Sequence, residues 1–559
     1  MSPARDILTI LQARFPGQVY DVQEKVPLKH YLTVDRDIID EVVKEIKDKG
    51  GRFVISAGSD VRERGEGFLV THILSVDSEK TFFLVKTHLD AKRPQIRSIT
   101  PIIAGASWAE LEFQDLLGIE LIGHPKPRRL VLSEDWPDGF YPLRRDFPYD
   151  FKPELKDKPL VEMKKPEEGQ TVIPIGPFFP VLEEPAFIKL FVSGEEVVDC
   201  DYRGFFSHRG IEKLGDSKLT YNEIPFVAER ICGICGFIHS TAYVEAVEEA
   251  AGIKAPRRAR YIRTILLELE RIHSHLLWLG IAGHIIGFDT VLMQSWRIRE
   301  PVMWACERIT GNRKTYGQNL IGGVRRDITE EMIPELNGVV DKIEKGWMEV
   351  ADAIAKDTTL HARLRDVGFL PKEKAMEFCV VGPTARGSNI PIDSRVDHPY
   401  AAYDELIPKV VTFDGCDNWA RVLVRVHETF ESIRLVRDGL HKLPNGPIMA
   451  EIKEPIPAGK EGVIVVEAPR GEAVHYVMTG ENYRPYRWRV RAPTYQQLQA
   501  LPTMIQHAAV ADVPITLGSM DPCFSCTERM EVVDVKTNKI VIYSHDDLIS
   551  MSREKYGRE

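Results

Sequence analysis

Two pairs of cysteines with the spacing C-x-x-C constrain this chain more than any other feature. The first pair is Cys232 and Cys235, in RICGICGFIH, and the second is Cys523 and Cys526, in DPCFSC. Random placement of the 8 cysteines over 559 residues gives roughly 0.1 such pairs. Because 287 residues lie between Cys235 and Cys523, the sequence predicts one site that joins distant parts of a single fold.

Four thiolates indicate a metal site, which could hold either one ion or a small cluster. Thiolates are soft ligands that favour zinc, copper(I), nickel or iron over magnesium and calcium. A structural zinc held by four cysteines is the simpler alternative. Zinc modules usually hold their pairs about 15–20 residues apart, however, so a local loop staple is disfavoured here.

Length and composition exclude several other classes. The chain is long enough for about two to four domains, and with 43% hydrophobic residues it can bury a large core. No run of 18 apolar residues predicts a membrane span, and the first twenty residues do not resemble a secretory signal. The net charge of −10 argues against nucleic-acid binding. Few cysteines indicate a reduced, cytoplasmic protein.

Residues 1–150 predict a small α+β domain. Helical spacing of apolar residues covers 38–46, and two β-branched runs at 68–76 and 81–89 predict paired strands. A further helix is expected over 108–117, ended by Gly118.

The rest of the chain predicts a linker, a large helical unit and a tail. Residues 151–170 are charged and rich in proline, which is typical of a solvated linker. Residues 171–529 predict a mainly helical domain with peripheral strands, so the fold class is α+β throughout. In it we expect a helix that begins at Pro256 and stops or kinks at Gly280, followed by a deeply buried stretch over 281–305. Residues 530–559 form a C-terminal extension.

The cysteine motifs resemble those of [NiFe]-hydrogenase large subunits. SHRGIEKL at 207–214, EAPRGEAVHY at 467–476 and RAPT at 491–494 resemble further motifs of that family. Residues 96–150 resemble the NuoC-type subunit of respiratory complex I, and the larger unit also resembles its NuoD-type subunit. The fusion of these two units is similar to the large subunit of the membrane-linked, formate hydrogenlyase type.

The resemblance implies a ligand set and an activity. Nickel takes all four thiolates, with Cys232 and Cys523 as terminal ligands, while Cys235 and Cys526 bridge to an iron that carries carbon monoxide and cyanide. Such a centre reduces protons reversibly to H2, and a nearby base exchanges the proton.

The resemblance also assigns roles around the metals. Glu212 is the expected proton relay; the alternative is a surface glutamate paired with Lys213 or Arg209. Arg470 is expected to hold a cyanide over the open metal position, or else to be a structural arginine at a strand end.

Four more positions complete the expected site. Thr494, after Pro493 in RAPT, offers its hydroxyl to the other cyanide, caps a helix, or does both. Asp521 accepts a hydrogen bond from Arg470 or caps a turn. His239 lies four residues after Cys235, on one helical face with it, and is expected to donate to that sulfur.

One position departs from the family pattern. Many relatives carry a histidine three residues after the last cysteine, where this chain has Arg529. Membrane-linked members often carry arginine there. By resemblance, a maturation protease cuts after this position and removes residues 530–559.

The other four cysteines lie too far apart for an iron–sulfur cluster, so we expect none in this chain. The resemblance implies partner subunits that carry the electrons. They are a NuoB-like small subunit with a [4Fe-4S] cluster, ferredoxin-like subunits and a formate dehydrogenase, together with integral membrane subunits. The chain is then expected at the cytoplasmic face of the inner membrane, held by these partners. Two rival functions remain, a fused NuoC/NuoD subunit that shapes the quinone pocket of complex I, and a zinc-stapled assembly scaffold.

Overall fold

The computed structural model describes most of the chain. It covers residues 3–133, 136–148, 151, 166–176, 186–205, 208–452 and 454–524, with the backbone of 532–534 and 539–541. The predicted linker and C-terminal extension therefore lie largely outside the described residues, as do Cys526 and Arg529. Within the described residues the protein is a mixed α+β structure, with an N-terminal sheet domain and a mainly helical remainder, as the sequence predicts.

A five-stranded sheet of order β1-β2-β5-β4-β3 forms the base of the N-terminal unit. Its strands are β1 (Val19–Val26), β2 (Lys29–Val34), β3 (Arg52–Asp60), β4 (Phe68–Val76) and β5 (Thr81–Leu89). All neighbours are antiparallel except the parallel pair β2 and β5. The strands predicted at 68–76 and 81–89 are β4 and β5. Strand β4 is buried along its whole length because both faces of the sheet are covered.

Three helices cover one face of this sheet: α1 (Pro3–Arg14), α2 (Ile39–Asp48) and α3 (Ser107–Leu117). The predicted helices over 38–46 and 108–117 correspond to α2 and α3. Helix α3 ends at Gly118, whose φ of 72° lies in the left-handed region that favours glycine. A short parallel pair, β6 (Gln95–Arg97) and β7 (Glu120–Ile122), lies beside it.

The other described helices and strands belong to the larger unit, except β16 and β17, which lie in the C-terminal extension. The helices are α4 (Ile211–Ser217), α5 (Ile224–Ala228), α6 (Gly236–Ala251), α7 (Arg257–Ile286), α8 (Asp289–Thr310), α9 (Met332–Lys356), α10 (Thr358–Leu364), α11 (Lys372–Glu377), α12 (Gly382–Arg386), α13 (Ser394–Asp397), α14 (Asn418–His441), α15 (Pro493–Gln497), α16 (Leu501–Ile505) and α17 (Val513–Ser519). The strands are β8 (Thr171–Ile175), β9 (Phe187–Ser193), β10 (Glu196–Arg203), β11 (Asn319–Leu320), β12 (Gly323–Val324), β13 (Glu461–Ala468), β14 (Gly471–Thr479), β15 (Pro485–Arg491), β16 (Val532–Asp534) and β17 (Lys539–Val541).

Helices α7, α8, α9 and α14 form the main bundle. Helix α7 begins after Pro256, as predicted, but the stop or kink expected at Gly280 is wrong. The helix continues to Ile286 and ends at Gly287, whose φ is 89°. Gly280 instead permits close packing, because a Cβ atom there would lie 2.8 Å from Nε1 of Trp296 on α8.

The expectation of deep burial over 281–305 is wrong for one face of α8. Val291, Ile298 and Val302 pack into the bundle, but Met293 is 67% exposed and Trp296 is 47% exposed. Among the helices of the described ranges, none is both long and apolar enough to cross a bilayer.

A second sheet, of order β13-β14-β15, packs against the other face of the N-terminal sheet. Arginines at alternate positions of β15 donate from their Nε atoms to backbone oxygens of β3, at 2.8, 3.2 and 3.2 Å. The pairs are Arg487 with Gly58, Arg489 with Ser56, and Arg491 with Val54. This arginine row fixes the register between the two units.

A buried ion-pair group reinforces the same seam. Arg52 at the start of β3 lies 2.8 Å from a carboxylate oxygen of Asp77 and 2.8 Å from one of Glu472 on β14. Arg491 pairs with Glu472 as well, at 2.5 Å. Burial alone would raise the pKa of Glu472, but the charges of Arg52 and Arg491 outweigh it and lower that pKa to about 2.

Substitution Arg52→Ala should therefore destabilise the protein strongly. It leaves two poorly hydrated carboxylates without one of their cations, and breaking a buried pair costs about 3–5 kcal/mol. Chemical denaturation of the full-length protein would measure the change. The matched control is Arg14→Ala, because Arg14 is exposed and its pairs with Glu41 and Glu45 should contribute less than about 1 kcal/mol. Equal effects of the two substitutions would contradict a structural role for Arg52.

Candidate metal centre

The two cysteine loops meet in the interior of the protein. Cys232 lies in the turn between α5 and α6, Cys235 immediately precedes α6, and Cys523 follows α17. All three are buried, and the Sγ atoms of Cys232 and Cys523 lie 3.3 Å apart. Thus residues almost 300 positions apart place their sulfurs together, as the spacing predicts. Cys526 lies outside the described residues.

The backbone of the first loop is arranged to support a negatively charged sulfur. The N–H groups of Ile234 and Cys235 both point to Sγ of Cys232, each at 3.4 Å. A side-chain hydrogen bond with Cys232, together with burial, raises the pKa of the Cys235 thiol well above its ordinary value. Sulfurs this close cannot all ionise without a compensating cation, so the loops suit a metal ion.

Arg470 lies beside the sulfurs on the turn between β13 and β14. Its Nε donates to the backbone oxygen of Asp521 at 2.8 Å, and its Nη2 lies 2.8 Å from Oδ1 of the same residue. Burial opposes its charge, but Asp521 and the cysteine sulfurs raise its pKa well above the ordinary value. The predicted contact between Arg470 and Asp521 is therefore present in the structure.

Thr494 supports the second loop directly. Its Oγ1 accepts a hydrogen bond from the N–H of Cys523 at 3.0 Å. The alternative that Thr494 caps a helix is wrong, because α15 begins at Pro493 and Ala492 occupies the cap position. Pro493 is buried as the first residue of that helix. The hydroxyl hydrogen of Thr494 stays available for a further acceptor.

His239 lies in the first turn of α6, but its expected hydrogen bond to the sulfur of Cys235 is not formed. Its Nδ1 lies 3.1 Å from Nε2 of His475 on β14 instead. Its Nε2 has no hydrogen-bond partner among the described residues. Burial lowers the pKa of His239 to about 4, against the charge of Cys232, so the ring is neutral.

Glu212 belongs to a separate group of charges at the seam between the units. Its side chain lies 2.7 Å from Arg487 and 3.0 Å from Arg489, and it accepts a hydrogen bond from the N–H of Val490. The alternative of a surface pair with Lys213 or Arg209 is wrong, because the carboxylate is 13% exposed and faces β15. Burial would raise the pKa of Glu212, but the two arginines lower it to about 2.

Three charged residues near Glu212 and Asp521 were not predicted from the sequence. Glu112 of α3 binds Arg489 with both oxygens, and Asp216 of α4 contacts Arg487 at 3.4 Å. The alternating arginines of RWRVR signal such a charged face, but its partners come from distant segments. Near Asp521, the buried Arg425 leaves Nε and Nη2 without hydrogen-bond partners among the described residues.

These observations fit a metal centre whose non-protein ligands accept hydrogen bonds from the protein. Three buried sulfurs converge beside a fixed cation, and unpartnered nitrogens of His239 and Arg425 lie in the same interior region. Within the described ranges, no three Cys, His, Asp or Glu side chains already form a complete ligand group. Cys526, the fourth cysteine of the predicted set, lies outside those ranges.

Replacing one sulfur should remove the metal. In Cys232→Ala, metal content measured by mass spectrometry should fall at least about tenfold, because a four-thiolate site loses its chelate geometry. The matched control is Cys379→Ala, which removes a buried cysteine between α11 and α12 whose charged neighbours include Arg52 and Arg491 of the seam. Unchanged metal content in Cys232→Ala would contradict the ligand assignment.

Three family models match successive parts of the chain. The model for the respiratory-chain NADH dehydrogenase 30 Kd subunit matches residues 32–153. The nickel-dependent hydrogenase model matches 209–290, and the model for the NADH dehydrogenase 49 Kd subunit matches 286–463 and 453–529.

Two curated relatives match almost the whole of this chain, and a third matches about two thirds of it. The chain is 40% identical to formate hydrogenlyase subunit 5 of Escherichia coli, covering 98% of this chain and 97% of that protein. It is 39% identical to hydrogenase-4 component G of the same organism, with coverage of 99% and 96%. It is 42% identical to the membrane-bound hydrogenase subunit alpha of Pyrococcus furiosus, covering 68% of this chain and 92% of that protein.

A solved structure shares the fold of about two thirds of this chain. A chain of the archaeal membrane-bound sulfane sulfur reductase superposes with a TM-score of 0.61 and 28% identity, covering 65% of this chain and 99% of that chain. Together with the paired cysteine loops, these matches show that the chain belongs to the membrane-linked, complex I-related hydrogenases, as a large subunit with fused NuoC-like and NuoD-like parts.

Proposed function

We propose that this protein is the subunit that reversibly reduces protons to H2 at a nickel–iron centre held by Cys232, Cys235, Cys523 and Cys526. The observation that carries the proposal is the 3.3 Å approach of the buried Cys232 and Cys523 sulfurs from opposite ends of the larger unit. The nickel–iron centre supplies the redox chemistry when it is bound. The protein residues hold it, exclude water and move protons.

In this proposal Cys232, Cys235, Cys523 and Cys526 would hold the nickel, and Cys235 and Cys526 would also hold the iron, whose other ligands would be carbon monoxide and cyanide. Arg470, fixed by Asp521, presents its remaining N–H groups to one cyanide, and Thr494 directs its hydroxyl hydrogen to the other. The open Nε2 of His239 suits a contact with a ligand sulfur, which need not be that of Cys235.

Glu212 carries protons between the centre and the rest of the protein. The arginine charges keep it ionised at neutral pH, so it accepts a proton only transiently and releases it readily.

Electrons are supplied from outside this chain. Cys200, Cys306, Cys379 and Cys416 are widely separated in sequence, and we propose that the chain holds no iron–sulfur cluster. A NuoB-like small subunit with a [4Fe-4S] cluster then faces the centre, linked to ferredoxin-like subunits, a formate dehydrogenase and integral membrane subunits. The exposed Met293 and Trp296 of α8 support a contact with such a partner.

The unit boundaries fit the same arrangement. Residues 1–150 form a NuoC-like docking domain, 151–170 a linker, and 171–529 the catalytic domain. A maturation protease removes residues 530–559 after metal loading. The assembled complex lies at the cytoplasmic face of the inner membrane, attached through its partners.

Two rival functions are less well supported. A role in the quinone pocket of complex I fits the family models, but an NADH-quinone oxidoreductase relative from Aquifex aeolicus is 30% identical, below the 40% of the hydrogenlyase relative. That function also gives no role to the converging cysteines. A zinc-stapled scaffold explains the cysteines but gives no role to Arg470 beside them.

Metal analysis of the purified complex separates these functions. We expect one nickel per complex and iron in excess of nickel, because the proposed partner subunits carry iron–sulfur clusters, together with H2 evolution from a reduced viologen dye. Cys526→Ala should abolish this activity while the N-terminal unit stays folded, as judged by limited proteolysis. Zinc alone would support the scaffold, and activity retained in Cys526→Ala would contradict the ligand set.

Glu212→Gln tests the proton route. Loss of a positioned proton carrier lowers turnover by about 10²-fold or more, so H2 evolution should fall by that factor with nickel and iron retained. Glu63→Gln is the control, because Glu63 is an exposed carboxylate that pairs with Arg145. Full activity in Glu212→Gln would show that protons take another route.

A further inference from the structure

Glu212 belongs to a group of five charges at the seam. The carboxylates of Glu112, Glu212 and Asp216 face the guanidinium groups of Arg487 and Arg489. Carboxylates held this close together repel one another, which favours binding of a proton by one of them.

Among the three carboxylates of this group, Asp216 is the one that lines a cavity, although its side chain is 9% exposed and that of Glu212 is 13% exposed. A cavity of about 750 Å³ opens at the seam between the two units, and its lining includes Asp216, Arg487, Lys213, Arg145 and Tyr486. Neither Glu112 nor Glu212 lines it. Exposed carboxylates of Glu63 and Glu481 also line the cavity, so solvent enters it.

Arg487 joins Asp216 to Glu212. One guanidinium contacts Asp216 at 3.4 Å through Nη1 and Glu212 at 2.7 Å through Nη2. The other oxygen of Asp216 accepts from the N–H of Trp488 at 2.6 Å. Both carboxylates also come from one helix, α4, and are four residues apart on the same face.

The surroundings of Asp216 suit proton exchange near neutral pH. Burial raises the pKa of Asp216 to about 7, with a further contribution from Glu212 and opposition from Arg487. Charged groups on other elements also act on it: Arg145 lowers its pKa, and Lys213 is coupled to it electrostatically. Tyr243 of α6 also faces it, as a neutral phenol whose own pKa is raised well above the ordinary value.

We propose that Asp216 passes protons between the water of this cavity and Glu212, as the solvent end of the proton route. This inference rests on the proposed role of Glu212 and deepens it. A proton from cavity water binds Asp216, which then gives it to Glu212 and returns to the carboxylate form. The proton count is conserved at each step, and the total charge of the five-charge group changes only when the cavity supplies a proton or the centre takes one. Asp216 acts through Glu212, so it is a positioning residue.

The test compares Asp216→Asn, Asp216→Glu and Glu212→Gln in the assembled, metal-loaded complex. Asparagine keeps the oxygen that accepts from Trp488 but cannot exchange a proton. Asp216→Asn should lower H2 evolution at least about tenfold, with unchanged nickel and iron and a larger solvent deuterium isotope effect. Asp216→Glu should restore turnover with a shifted pH profile. Glu481→Gln, which alters another carboxylate of the same cavity, should behave as the unaltered protein.

A readout without turnover comes from infrared difference spectra of the full-length chain between acidic and alkaline buffer. Asp216→Asn should lose one of the carboxylic acid bands that titrate near pH 7, while Glu229, Glu245 and Asp397, whose pKa values burial also raises to about 7, should keep theirs.

Each outcome decides the proposal. If Glu212→Gln abolishes turnover while Asp216→Asn matches Glu481→Gln, Asp216 has no role and the proposed function stands. If Glu212→Gln is fully active, the route through both residues is wrong. Should Asp216→Asn fail to fold, an unshifted pH profile in Asp216→Glu overturns the inference.

Discussion

The convergence of sulfurs from distant positions is the constraint on which the rest of the structure depends. Cys232 and Cys523 come within 3.3 Å only if the start of α6 and the end of α17 are held against each other in the interior. Helix α7 provides this support, since it packs against α17 and α14 and its Trp278 donates to a backbone oxygen of α17. Close sulfurs repel when ionised, and Arg470 places a fixed positive charge beside them.

A second group of contacts joins the larger unit to the N-terminal unit. The arginine row of β15 binds backbone oxygens of β3 on one side and carboxylates of α3 and α4 on the other. Glu112 of the N-terminal unit shares Arg489 with Glu212, so this unit contributes directly to the electrostatics of the proposed proton route. Loss of these contacts would therefore alter the charges around Glu212 as well as stability.

The sequence predicted helices and strands correctly where interactions between residues close in the chain determine them. Strands β4 and β5 and helix α3 match their predicted spans because their apolar periodicity and the glycine after α3 act within a few residues. Gly280 did not stop α7, since contact with Trp296 on another helix sets its role. The apolar stretch of α8 was expected inside but is partly exposed, because burial depends on which neighbours are present. Local pattern shows that a residue is apolar but not what covers it.

The sequence by itself determined the candidate metal ligands, the helical and α+β character of the two units and the family, because cysteine spacing and amphipathic patterns are encoded in neighbouring residues. Only the tertiary structure decided which charges meet. Glu212 pairs with arginines more than 270 residues away instead of with its neighbours, and His239 turns to His475 instead of to the nearby sulfur. Such pairings arise from the packing of a helix against a distant sheet, and no periodicity in the chain records that geometry.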